Sequence, residues 1–199
     1  MGSQHSANAK AMIAKVLTSC ALLLSLTQLA NAADAAANSN IFDELRFGAT
    51  TSVSSSDNGE DGVFPALTVY FDPFDSATAA SFTDKLLRPR VHLGGEIGTE
   101  GSANTVYGGI NWTLDLNEKI FLDLGFGGLW HDGNLRNTGS ETGAQLGCRF
   151  LFREYAAVGY RINQNWNIST QIEHASHANL CDGPNDGITR AGLMLGYRF

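Results

Sequence analysis

The stretch Trp166-Asn-Ile168-Ser-Thr170-Gln-Ile172-Glu-His174-Ala-Ser176 alternates along its whole length. Alternation with a period of two is the signature of a β-strand with two different faces. Residues i and i+2 share a face of a strand. Trp166, Ile168, Thr170 and Ile172 therefore form one apolar stripe, and His174 and Ser176 continue it, while Glu173 points the other way. An imidazole and a hydroxyl on one face can act as general base and nucleophile. If the stripe faces lipid, the pair faces lipid too.

The same period recurs in segments of about ten residues, the pattern of a membrane β-barrel. Eight are legible, at about 44–53, 63–72, 89–99, 105–116, 120–131, 143–162, 166–177 and 187–199. The last ends with Leu193, Leu195, Tyr197 and Phe199 alternating with Met194, Gly196 and Arg198, which resembles the C-terminal signature of outer-membrane barrels. The expected fold is an all-β, eight-stranded antiparallel outer-membrane barrel. A barrel of eight strands fills its interior with side chains. Arg46, His92, Glu96, Asn111, Asp123, Arg149 and Arg161 are the expected inward set, a packed polar interior without a pore. Trp112, Trp130, Tyr160, Trp166 and Phe199 are expected outward, as interface girdles. They argue against a soluble lipocalin-like carrier.

Connection lengths suggest the orientation. With both termini periplasmic, the tight turns at 117–119 and 163–165 fall on the periplasmic side, where turns are short. The loops at 54–62, 132–141 and 178–186 then lie outside. The connector 73–88 is a long exception, with a helical turn expected around 82–87.

The start of the chain has the form of an export signal. Lys10 and Lys15 precede an apolar run from Val16 to Leu29, and Ala30-Asn31-Ala32 fits a small-x-small cleavage site. The expected organisation is a signal peptide over 1–32, a periplasmic segment over 33–43 and the barrel over 44–199. Cleavage would leave 167 residues with a formal charge of −9, against −7 for the whole chain. So acidic a product argues against nucleic-acid binding. Cys148 and Cys181 would remain, an even number in an oxidising compartment, either as a disulfide or as two thiols.

No metal constellation is expected. His174 and His177 are three apart in a strand and face opposite sides, with no cysteine joining them. Asp57-Asn58-Gly59-Glu60-Asp61 is rich in oxygen but lacks the spacing of an EF-hand loop. A serine esterase needs no cofactor.

The segment His174-Ala-Ser176-His177-Ala-Asn179, followed by Pro184-Asn185-Asp186-Gly187-Ile188, resembles the active-site segment of the outer-membrane lipid A 3-O-deacylases, the PagL type. Arg149-Phe-Leu-Phe-Arg153 and Gly159-Tyr-Arg161 are similar to that family as well. The resemblance implies an eight-stranded barrel that cleaves the 3-linked acyl ester of lipid A, with Ser176 as nucleophile and His174 as general base. It implies lipopolysaccharide in the outer leaflet as partner and the bacterial outer membrane as location. It leaves open whether the chain forms a homodimer. Two positions depart from the family pattern. His177 stands where the family has an asparagine that holds the oxyanion, leaving His177 itself, Asn179 or a backbone N–H for that role. Thr189 stands where the family has the glutamate of its triad, and one extra residue lies in 181–184. Asp186 and Asp182 are the loop acids expected to substitute. The competing expectation is a structural or adhesive barrel that has lost catalysis with its acid.

Overall fold

A computed structural model describes residues 41–54, 59–136 and 143–199. The expected signal segment and residues 33–40 lie outside the described residues, as do Asp57 and Asn58. Eight antiparallel strands follow in order: β1 (Phe42–Ser52), β2 (Val63–Phe71), β3 (Arg90–Glu96), β4 (Thr105–Asp115), β5 (Ile120–His131), β6 (Phe150–Arg161), β7 (Trp166–Ser176) and β8 (Ile188–Arg198). Each pairs with its neighbour in sequence, and β1 pairs with β8, which closes the barrel. Closure removes the open edges that would otherwise expose unpaired backbone groups. Among the described residues no helix is long and apolar enough to cross a membrane.

Tight turns join β4 to β5 and β6 to β7. In each, an asparagine side chain caps the returning strand: Ile120 N donates to Asn117 Oδ1 and Trp166 N to Asn163 Oδ1, both at 2.8 Å. These turns define one end of the barrel, the turn end; the long loops define the other. The 72–89 connector at the turn end holds a short helix, α1 (Phe82–Leu86), where the sequence places a helical turn. The Ser81 hydroxyl accepts from Asp84 N at 3.1 Å to cap it, and Trp112 Nε1 donates to Leu86 O at 2.9 Å.

Strand parity sorts the residues as the alternation predicts. Phe126, Ile172 and Leu193 are exposed on the outer face. An aromatic belt rings the turn end, with Phe42 against Phe199 (centroids 4.7 Å apart) and Trp166 against Tyr197 (5.0 Å). The buried inward charges comprise four arginines (46, 90, 153, 190) and four carboxylates (44, 96, 123, 173). Equal numbers let each charge find a partner, which burial demands. Near the turn end Arg46 bridges Glu44 (2.6 Å) and Asp123 (2.5 Å), and Arg90 reaches Glu44 (2.8 Å). Near the loop end Arg190 holds Glu96 (2.5 Å) and Glu60 (2.7 Å), and Arg153 pairs with Glu173. Aromatic rings fill the space between, with Arg190 stacked 3.6 Å over the Phe64 ring.

Several expectations are corrected. The sixth strand begins at Phe150, not near 143. Gly147 adopts a positive φ of 67°, and Leu146 N and Gly147 N donate to Asn134 O (2.9 Å) and Leu135 O (3.0 Å). Those bonds fold residues 143–149 over the loop end and tuck Leu146 into the core beside Tyr107 and Leu129. Arg149 consequently lies outside the strand and donates to Gly133 O at 2.6 Å; it is no part of the interior network. Arg161 sits half-buried at the turn-end mouth, paired with Asp115. His131 is fully buried and meets Cys148 O at 2.6 Å. The barrel starts at Phe42, two residues before the expected boundary.

Arg46 bridges two buried carboxylates. Replacing it (Arg46→Met) leaves Asp123 buried without its cation, while Glu44 keeps Arg90, and the loss is expected to be about 3–5 kcal/mol. A fall in the urea midpoint of the detergent-solubilised barrel measures it.

Candidate active site

His174 and Ser176 close β7 at the loop end, on the outward face and half-buried. The register puts Glu154 of β6 and Thr189 of β8 on either side of His174, and Phe152 of β6 beside Ser176. His174 Nδ1 lies 2.9 Å from Thr189 Oγ1, a hydrogen bond in which either atom can donate. Position 189, where the resemblance leads one to expect the acid, thus bonds the imidazole through a neutral hydroxyl. Gly187, with φ of 72°, makes room for the ring: a Cβ there would come within 2.9 Å of His174 Cε1. That contact gives a physical reason for the glycine of the Asn185-Asp186-Gly187-Ile188 segment.

The loop after β7 is clamped rather than draped. Ala178 and Asn179 are both left-handed, with φ of 49° and 60°, and reverse the chain so that Leu180 N donates to His177 O at 2.9 Å. The His177 ring is buried, 3.1 Å from Pro184 O, and its Nδ1 accepts from Cys181 N at 3.4 Å. Both ring nitrogens are thus engaged within the loop. Asn179 is exposed, with one 3.5 Å contact from Asn185 Nδ2. Cys148 and Cys181 form a disulfide with Cα atoms 6.2 Å apart. The sequence reading finds no cysteine beside His177; the fold places both there, with the three ligating atoms within 4.8 Å of one another. The two sulfurs are bonded to each other, which leaves them no thiolate for a metal.

The expected substitute acids are elsewhere. Asp186 accepts from Gln145 N at 2.9 Å, and its own N–H donates to Gln145 O. Asp182 is exposed, and its carbonyl accepts from Arg136 at 3.0 Å. Neither bonds to His174. Glu60, from the oxygen-rich 57–61 stretch, is folded onto Arg190 instead of facing a cation. Glu173 points inward to Arg153, as parity predicts.

The residue that sequence reasoning missed is Glu154. It has the even parity of Phe152, Val158 and Tyr160 and is exposed on the outer face of β6. The signal was present as one carboxylate in an otherwise apolar even-numbered row. What makes it relevant is the cross-strand register with His174, which no single strand reveals. Beside Ser176 an apolar groove runs between β5 and β6, floored by Gly127 and Gly128 and walled by Phe126, Phe150, Phe152 and Leu180.

Fold and site together define an outer-membrane type of β-barrel with a serine–histidine pair on its outer wall. The family model of the lipid A 3-O-deacylases (PagL) matches residues 88–198, more than half of the chain, and spans β3 to β8. The chain belongs to that family. Among solved structures it is similar to the outer membrane enzyme PagL, at 18% identity over 77% of this chain and 97% of that one, with a TM-score of 0.53. It is also similar to the Yersinia pestis outer membrane protein Ail, at 12% identity over 80% and 99% of the two chains, with a TM-score of 0.45. No curated protein matches the chain.

A methyl group at 187 would both strain the backbone and strike the ring. Gly187→Ala is expected to cost about 1–2 kcal/mol and to detach His174 from Thr189. Nitrogen-15 spectra of the labelled imidazole, compared with wild type, read the lost Nδ1 hydrogen bond.

Proposed function

We propose that this chain is an outer-membrane esterase that hydrolyses the 3-O-linked acyl chain of lipid A, with Ser176 as nucleophile and His174 as general base. The observation that carries the reading is the outward pair itself. A hydroxyl and an imidazole sit on the apolar outer wall of a PagL-family barrel, next to an apolar groove. Lipid packed against that wall would present its ester to Ser176 without leaving the bilayer. The expected topology puts the loop end outside, so the pair would meet the lipopolysaccharide leaflet.

The chemistry follows from the ring's contacts. With Nδ1 protonated and Thr189 Oγ1 accepting, Nε2 keeps its lone pair and can take the Ser176 proton. The Ser176 oxygen bonds to the ester carbonyl carbon, and the carbonyl oxygen becomes an oxyanion. Asn179 is the expected donor not already committed to the loop. The oxyanion collapses, the bond to the sugar 3-oxygen breaks, and His174 returns its proton to that oxygen. Water then attacks the acyl-enzyme, gives a proton to His174, and releases the fatty acid as Ser176 recovers its hydrogen. The acyl chain lies in the groove floored by Gly128, where a side chain would find space: the nearest atom to a Cβ is Leu151 O at 3.9 Å.

Lipid A from Gram-negative cells that lack such an activity, expressing this chain, is expected to lose one hydroxyacyl mass. Ser176→Ala should abolish the loss, with a rate at least about 10³-fold lower. Mass spectrometry decides. Intact lipid A, with the barrel folded in the outer membrane, would leave the non-catalytic barrel as the reading. Filling the groove by Gly128→Leu is expected to shift preference toward shorter acyl chains by about 10-fold, read by competition between lipids of two chain lengths.

A further inference from the structure

Apart from tyrosines, and from Asp43, which pairs with Arg90 at the turn-end mouth, the outward-facing side chains of the described strands include two ionisable groups: Glu154 and His174. They stand directly opposite each other across β6 and β7. Such cross-strand partners on one face have Cβ atoms about 5 Å apart, and opposite charges there attract. The outward neighbours of Glu154 along and across the sheet are otherwise apolar: Phe126 on β5, Phe152 and Ala156 on β6. No side chain among the described residues bonds the Glu154 carboxylate. A charged group in lipid surroundings is costly and calls for a function. Every inward carboxylate of the barrel, by contrast, has its arginine.

We propose that Glu154 is the positioning residue for His174: it supplies, from β6, the negative charge that Thr189 cannot supply from β8. The proposal rests on the serine-esterase reading above and deepens it. Thr189 bonds Nδ1 and orients the ring but carries no charge. When His174 takes the Ser176 proton it becomes a cation. A carboxylate one strand away steadies that cation without a direct hydrogen bond, because the field of a charge is strong where water is excluded. The two jobs that a triad acid does through one side chain, orientation and charge, are here divided between the strands flanking His174. The divided arrangement accounts for a family member with threonine at 189.

The test uses the full barrel in detergent micelles and two readouts. One is labelling of Ser176 by a fluorophosphonate, in which the Ser176 oxygen bonds to phosphorus, fluoride leaves and His174 takes the proton. The other is kcat and KM for lipid A deacylation. Glu154→Gln is expected to slow labelling and kcat about 10- to 100-fold, with KM changed by less than about 2-fold. Glu154→Asp should keep most of the rate. Adding Thr189→Glu to Glu154→Gln should restore it by returning the charge from the other side, a rescue that a misfolded barrel could not show. Wild-type labelling speed in Glu154→Gln would overturn the role of Glu154 and leave the esterase reading standing. Slow labelling that neither Glu154→Asp nor Thr189→Glu rescues would reduce Glu154 to a structural part and overturn the proposal. A folded wild-type barrel that does not label at Ser176 would overturn the esterase reading, and the proposal with it.

Discussion

Arg46 lies between Glu44 and Asp123, all three buried in the barrel interior, and the rest of the barrel is arranged around contacts of that kind. Closing eight strands leaves a lumen that side chains must fill. Charges placed there lose hydration and are tolerable only in pairs. Four arginines and four carboxylates meet that condition, in one layer near the turns and another near the loops. The pairs cross the lumen between strands that are distant in sequence, as Arg190 does to Glu96. A shift of one residue in any register would turn an inward charge out and an apolar side chain in. The ion pairs therefore hold the register as well as the volume.

The serine–histidine pair lies on the outer wall. The same register that seals the interior places Phe126, Glu154, His174 and Thr189 in one row across four strands. Ser176 stands one step nearer the loops, beside the groove that Gly127 and Gly128 open between the phenylalanines. Above it the chain is pinned at several points: the Cys148–Cys181 disulfide, His177 against Pro184, and Asp186 against Gln145. Gly147 lets the pinned segments approach, since a Cβ there would fall 2.8 Å from His177 Nε2. A rigid loop next to a strand-borne pair is a sound base for positioning an ester, because strand ends hold side chains more firmly than free loops.

The side chains between 173 and 189 divide their contacts in space. The His177 ring is bonded within the loop. Thr189 bonds the imidazole through a neutral hydroxyl. The loop acids Asp182 and Asp186 serve the loop, and Glu173 serves the interior.

Much of this was legible in the residues. Alternation over 166–176 was enough to put His174 and Ser176 outside and Glu173 inside, and the same period placed Arg46, His92, Glu96, Asn111 and Asp123 in the lumen. Those are consequences of pleat geometry, which acts between residues two apart and so is written locally. The tight turns at 117–119 and 163–165 were legible for the same reason, through asparagine side chains that cap them. Where local pattern and tertiary contacts competed, the contacts won: 143–149 alternates like a strand but folds into the loop, because Gly147 turns and Leu146 finds a place in the core. The partner of His174, the union of Cys148 with Cys181, the burial of His177 between them and the place of Glu154 opposite His174 were decided by the tertiary structure alone. Each joins segments whose relative position depends on strand register and barrel closure, and those are set by the sum of contacts around the ring rather than by any one stretch of chain.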